Sequence, residues 1–304
     1  MTAPPSPPSD GSPDPALSPG DLLAERVVFV LVQPQHPGNV GAVARAMKNM
    51  GLRRLIVVNP PPSFDLERAR WMAPGAADVL AEMRITATLD EALVGVHRAV
   101  ATTARRRADA QAIHEPAGFA RSVFETPDDI VTAVLFGRED DGLSRAETLR
   151  CESLVRIVTD HTASLNLAQA ALLVGHHLFE AARTHGLNPD GRVLSGGHGP
   201  RSTRSLDRRD ATRPADLRRV EPIVRDLTAL LDRVGFQRSG DPERIGLTLR
   251  ELLQRSRLTD RHVSALMGMI GRIDYALDHP HSDWRGTRRD HERKAEDPSD
   301  DGIA

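Results

Sequence analysis

RVVFVLVQPQHPGNVGAVARAMKNMGLRRLIVV (Arg26–Val58) is the stretch that decides the fold class. Val27–Val32 is an unbroken apolar run. A strand with one wet face alternates apolar and polar residues, so a continuous run suits a strand covered on both faces. Helical periodicity follows over Val40–Met50, and Leu55–Val58 supplies a second apolar run. Strand, helix and strand in that order predict a parallel pair with a crossover helix.

Working outward, the runs Ala99–Thr102, Val131–Phe136 and Leu154–Val158 read as three further strands. Helices are expected over Ala76–Arg84 and Asp90–Val94, and from Leu165 to about Thr184. The expected architecture is therefore α/β with a mostly parallel sheet. Residues 188–214 are rich in Gly, Ser, Arg and Pro and read as a linker. Beyond them only helices are expected, over Ala215–Val234, Ile245–Arg255 and Asp260–Leu277. The first carries a stripe of Leu217, Val220, Val224, Leu227, Leu230, Leu231 and Val234 at helical spacing. The domain expectation is an α/β domain over 23–187, the linker, and a helical domain over 215–279. The Pro-rich residues 1–22 and the polar residues 280–304 are expected to be disordered tails.

Composition excludes several classes. Cys151 is the only cysteine, which rules out an intrachain disulfide framework and a Cys-based zinc site, and fits a reducing cytoplasm. No apolar run is long enough to span a membrane, and the N-terminus lacks the pattern of a signal peptide. The net charge is −2. Charge is uneven, however: Arg201–Arg261 holds fifteen Arg against ten Asp plus Glu, and Arg105-Arg106-Arg107 forms a second cluster. Such patches suit RNA phosphates. Yet Lys48 and Lys294 are the only lysines, so a chain-wide arginine bias explains the clusters equally well. Aromatics make up 3% of the chain, which argues against base stacking as the main mode of RNA binding.

Three segments carry chemistry. Pro37-Gly38-Asn39-Val40-Gly41 opens a helix directly after the first strand, with Asn39 expected as its N-cap and Arg45 on the second turn. The segment is not a dinucleotide loop. It lacks G-x-G-x-x-G, and the second strand ends Val58-Asn59-Pro60, without an acidic ribose ligand. Gly137-Arg138-Glu139-Asp140-Asp141-Gly142-Leu143 follows the fourth run, and Gly137 would let a ligand approach the backbone. Asp140 and Asp141 lack metal-ligand partners at useful spacing, so no metal is expected. Ser164-Leu165-Asn166 precedes the long helix. His161 has no triad partners, and His176-His177 reads as structural.

In this order the segments resemble the TrmH-like branch of the SPOUT superfamily of methyltransferases. The pattern N-x-G-x-x-x-R stands at Asn39–Arg45, G-x-E-x-x-G-L at Gly137–Leu143 and S-L-N at Ser164–Asn166. The likeness runs from Arg26 to about Leu277, and within the branch it is greatest to the enzymes that methylate the tRNA anticodon loop. The resemblance implies S-adenosylmethionine-dependent methylation of an RNA ribose 2′-hydroxyl, with tRNA position 32 the expected target and no metal required. It implies a C-terminal trefoil knot, a small helical extension, a homodimer and a cytoplasmic location. It assigns catalytic work to Asn39, Arg45, Ser164 and Asn166. It assigns the methyl donor to Ala101, Thr102, Thr103, Gly137, Ile157, Ser164 and Leu165. Two alternatives stay open: a non-catalytic RNA-binding protein of the same fold, and methylation at another tRNA or rRNA site.

Overall fold

A computed structural model of the chain describes residues 18–104, 112–160, 164–185, 213–236, 242–256 and 258–279. The Arg105–Arg107 cluster, His161, most of the expected linker and residues 1–17 and 280–304 lie outside the described residues.

Seven strands form one parallel sheet: β1 (Val27–Val32), β2 (Arg54–Val58), β3 (Arg84–Thr86), β4 (Arg98–Thr103), β5 (Ala112–His114), β6 (Thr132–Phe136) and β7 (Ser153–Arg156). Their spatial order is β3-β2-β1-β6-β4-β7-β5, and every pairing is parallel. All six residues of β1 and all five of β6 are buried, as their unbroken apolar runs require. Two strands escape the sequence pattern. Arg84 was expected to end a helix, but Arg84–Thr86 forms an edge strand on β2, and Ala112–His114 pairs with β7. Both are three residues long and mostly exposed, so neither carries an apolar signature.

Alternate residues of each strand feed two cores. Val27, Phe29, Leu31, Leu55, Val57, Val134 and Phe136 point to one face. There they meet α1 (Pro19–Arg26), α2 (Pro37–Asn49), α6 (Pro116–Phe124) and α8 (Leu167–Thr184). The short helices α3 (Leu66–Trp71) and α4 (Ala77–Ala81) close the same face. Val28, Val30, Ile56, Ala101, Ala133 and Leu135 fill the other face. It is covered by α5 (Leu89–Ala92) and by the segment carrying Leu143 and Cys151, which surrounds α7 (Arg145–Thr148). Helix α1 begins inside the stretch expected to be a tail. Ser18 and Asp21 form a capping box there and Leu23 is fully buried, so local capping and one apolar anchor override the polar composition.

After residue 213 come α9 (Val220–Arg233), α10 (Pro242–Arg255) and α11 (Asp260–Asp278), around a small core of Ala215, Ile223, Val263 and Ile270. They join the sheet domain through Leu217 N–H to the Val96 carbonyl (3.0 Å) and Gly95 N–H to the Asp216 carboxylate (3.1 Å). No helix of the described residues is long and apolar enough to cross a membrane.

Candidate active site

The carboxyl ends of β1, β4, β6 and β7 meet where β6 is inserted between β1 and β4. Parallel sheets leave ligand crevices at such reversals of strand order. An open cleft lies there, with Thr102 and Thr103 from β4, Gly137 to Leu143 after β6, Ile157 after β7, and Ser164 and Leu165 before α8. Six of the seven residues expected to hold the methyl donor thus line one cleft. The exception is Ala101. Its side chain is fully buried in the second core.

The three sequence segments are joined by side-chain hydrogen bonds. Asn166 caps α8, its Oδ1 accepting from Ala168 N–H at 2.9 Å. That contact fixes the amide, so its Nδ2 donates to Asn39 Oδ1 at 3.2 Å. Asn39 Nδ2 then donates to Glu139 Oε1 at 2.8 Å. A backbone donor at one end and a carboxylate at the other leave each amide a single orientation. Asn39 is therefore not the N-cap it was expected to be. His36 holds that position without a side-chain bond. Glu139 fixes the chain just before the helix, accepting from the N–H groups of Gln35 (2.9 Å) and His36 (3.3 Å). Burial alone would raise the Glu139 pKa. The bonds from Asn39, Gln35 and His36 outweigh it and hold the carboxyl below its ordinary value.

Glu139 was absent from the expected site, as was the clamp behind it. Arg138 makes a two-pronged pair with Glu147 (2.8 and 3.1 Å) and donates to Gln33 Oε1 (2.6 Å) and the Gly142 carbonyl (3.2 Å). Gln33 adopts a left-handed backbone, φ 50°, an uncommon conformation for a residue with a side chain. The signal in the sequence was the presence of charged residues directly after a fully apolar strand. The partner of Arg138 across 105 positions was not legible.

Gly137 has a structural reason besides the ligand approach expected of it. A Cβ there would lie 2.1 Å from the Gly142 carbonyl carbon and 2.2 Å from Leu143 N. The glycine admits the loop's own return beside the cleft that it lines. Gly41 likewise admits a helix: a Cβ would sit 1.9 Å from the Ala69 carbonyl oxygen on α3. Ser164 lines the cleft and is exposed, and Arg45 is exposed on α2 outside the cleft lining. Among the described residues Arg45 has no hydrogen-bond or ion-pair partner. Asp140 and Asp141 are exposed, and no three His, Cys, Asp or Glu side chains of the described residues are grouped to hold a metal.

Comparison with known proteins fits this arrangement. Residues 26–176 match the SpoU rRNA methylase family. The tRNA (cytidine/uridine-2′-O-)-methyltransferase TrmJ of Yersinia pestis (strain Pestoides F) is 32% identical over 275 residues, 87% of this chain and 96% of that protein. The enzyme of the same name from Salmonella typhimurium is 32% identical over 254 residues, 83% of this chain and 98% of its own. The crystal structure of TrmJ from Z. mobilis ZM4 superposes with a TM-score of 0.67 at 26% identity, over 81% of this chain and 98% of that one. The chain belongs to the SpoU methylase family and is a methyltransferase. Within the family, these relatives align along nearly their full length, and they are TrmJ proteins.

Proposed function

We propose that this chain transfers a methyl group from S-adenosylmethionine to a ribose 2′-hydroxyl of tRNA, at nucleotide 32 of the anticodon loop. The observation that carries this reading is the Asn166–Asn39–Glu139 chain. It ties the start of the Arg45 helix to the loop that walls the cleft. The identity to TrmJ proteins over most of the chain supports the substrate.

The cleft suits an adenosyl group. Phe136, Leu143, Val155, Ile157 and Leu165 offer apolar walls, Thr102, Thr103 and Ser164 offer hydroxyls, and the loop backbone offers polar edges. Bound there, S-adenosylmethionine supplies an electrophilic methyl carbon. The protein's part is to present a hydroxyl in line with it and to favour loss of the hydroxyl proton. Ser164 and Asn166 stand at the cleft rim, where they position the ribose. Arg45 is a donor-only cationic group, so its role is to orient the hydroxyl and stabilise the developing oxyanion. Among the described residues no partner occupies its donors.

Two larger features belong to the same reading. Strands β6 and β7 are each inserted between earlier strands, and the chain returns in contact with itself at Gly137. Both support a trefoil knot around the cleft. Leu172 and Leu173 are exposed on α8, whose other face is buried in the core. They support a homodimer, and a tRNA substrate supports a cytoplasmic location.

Arg45→Ala tests the site. Methyl transfer to unmodified tRNA should fall by roughly 10²–10³-fold, the cost of removing one oxyanion-stabilising group. Thermal stability and oligomeric state should be unchanged. Near-normal turnover would overturn the assignment.

A further inference from the structure

Strands β1 and β2 end in the same backbone device. Gln33 follows β1 and Asn59 follows β2. Each precedes a proline, and each has a left-handed backbone, φ 50° and 43°. Each N–H bonds to the last carbonyl of the neighbouring strand, Gln33 to Val58 and Asn59 to Thr86, both at 2.8 Å. Asparagine is one of the few residues with a side chain that is enriched in this conformation, and glutamine is not. Asn59 suits its backbone, and its exposed side chain has no hydrogen-bond partner among the described residues. Gln33 is the poorer local choice and is one methylene longer. Its Oε1 uses that length to accept from Arg138 Nε at 2.6 Å.

Arg138 is held on its other side. Glu147 grips both Nη atoms, and the Gly142 carbonyl takes a further bond from Nη1. Most donors of the guanidinium are thereby occupied within the protein, although the residue lines the cleft. Gln33 opens the short turn into the helix that bears Asn39 and Arg45. Pro34 is buried and Pro37 has a fixed φ, so little freedom separates Gln33 from that helix. We propose that Gln33 is a positioning residue for methyl transfer: through Arg138 it sets the Arg45 helix against the loop that walls the cleft. The inference rests on the RNA-methylating reading of the site. Gln33 itself lies outside the cleft lining, so its loss acts on alignment rather than on binding.

Gln33→Asn keeps an amide suited to the left-handed backbone but too short to reach Arg138. Its melting temperature and its KM for S-adenosylmethionine and for unmodified tRNA should stay near the parent values. Its kcat should fall about tenfold, within the roughly 10²-fold that a misplacement of about 1 Å costs. Gln33→Glu, with an acceptor at the original reach, should recover most of the rate. In an Arg138→Lys background, where the fork is lost, Gln33→Asn should lower kcat no further. An unchanged kcat in Gln33→Asn, or a melting temperature that falls in step with kcat, would overturn the proposal. So would a Gln33→Glu variant as slow as Gln33→Asn, or equal effects of Gln33→Asn in the two backgrounds. A parent enzyme that transfers no methyl to tRNA would sink the functional reading itself, an outcome distinct from an active parent indifferent to Gln33.

Discussion

The two ends of the sheet use charge in opposite ways. At the amino end, Arg26 is 2% exposed and bonds to Asp128 and to the carbonyls of Val123 and Thr126. Arg98 is 4% exposed and pairs with Glu152 at 2.7 Å. His97, also at this end, is covered by the segment that leads into α9, with Arg213 3.0 Å from its ring. Burial, then the charge of Arg213, hold its pKa below the ordinary value. At the carboxyl end, the polar groups line or border an open cleft. Their bonds run between loops, as in Asn166–Asn39–Glu139 and Gln33–Arg138–Glu147. The amino end is closed and structural, while the carboxyl end is held in shape and left accessible. The same chemistry thus serves stability at one edge and positioning at the other.

The comparison can be broken first at the amino end. Glu152→Ala leaves Arg98 buried without its carboxylate and should cost about 3–5 kcal/mol. Chemical denaturation measures the loss, and kcat of the remaining folded enzyme should be unaffected. A change in kcat with stability intact would dissolve the distinction between the two ends.

A smaller effect separates support from chemistry at the carboxyl end. Asn166→Asp retains a helix cap but loses the amide that donates to Asn39. Asn166→Ala loses both. The aspartate variant should keep its melting temperature and lose activity about tenfold, the scale of one hydrogen bond to a positioned group. The alanine variant should also lose about 1 kcal/mol of stability. Equal activity in parent and aspartate variant would show that the link to Asn39 is only structural.

The smallest effect is on pH. Burial raises the pKa of both Glu139 and Glu147, but bonds from Asn39 and Arg138 respectively, with backbone N–H groups, leave each below the ordinary 4.5. Their stabilisation is therefore complete above pH 4.5 and is lost as pH falls through the depressed values. The stability difference between the parent and a Glu139→Gln/Glu147→Gln double variant should be constant from pH 7 to 5. It should shrink below 4.5. A difference that begins to shrink near neutral pH would contradict the hydrogen bonds described.

The central strands were legible because burial on both faces leaves an unbroken apolar run, as in Val27–Val32 and Thr132–Phe136. The edge strands Arg84–Thr86 and Ala112–His114 were not, because an edge needs little apolar surface. The cleft was legible as a set of segments, and Ala101 alone lies outside its lining, its side chain packed in the core. The role of Asn39 was misread because a side chain at a helix start has a local partner by default. Here its partners, Glu139 and Asn166, lie 100 and 127 residues away. Gly41 and Gly137 each admit another part of the chain, Ala69 and the Gly142–Leu143 return, and that was not legible. Local sequence records which residues are small or polar. It does not record what they face.

The most direct measurement is to incubate the enzyme with S-adenosylmethionine and unmodified tRNA, digest the product and identify the modified nucleoside and its position by mass spectrometry. A 2′-O-methylated cytidine or uridine at position 32 is the expected result. A base-methylated nucleoside, or tRNA returned unmodified, would contradict the proposed function.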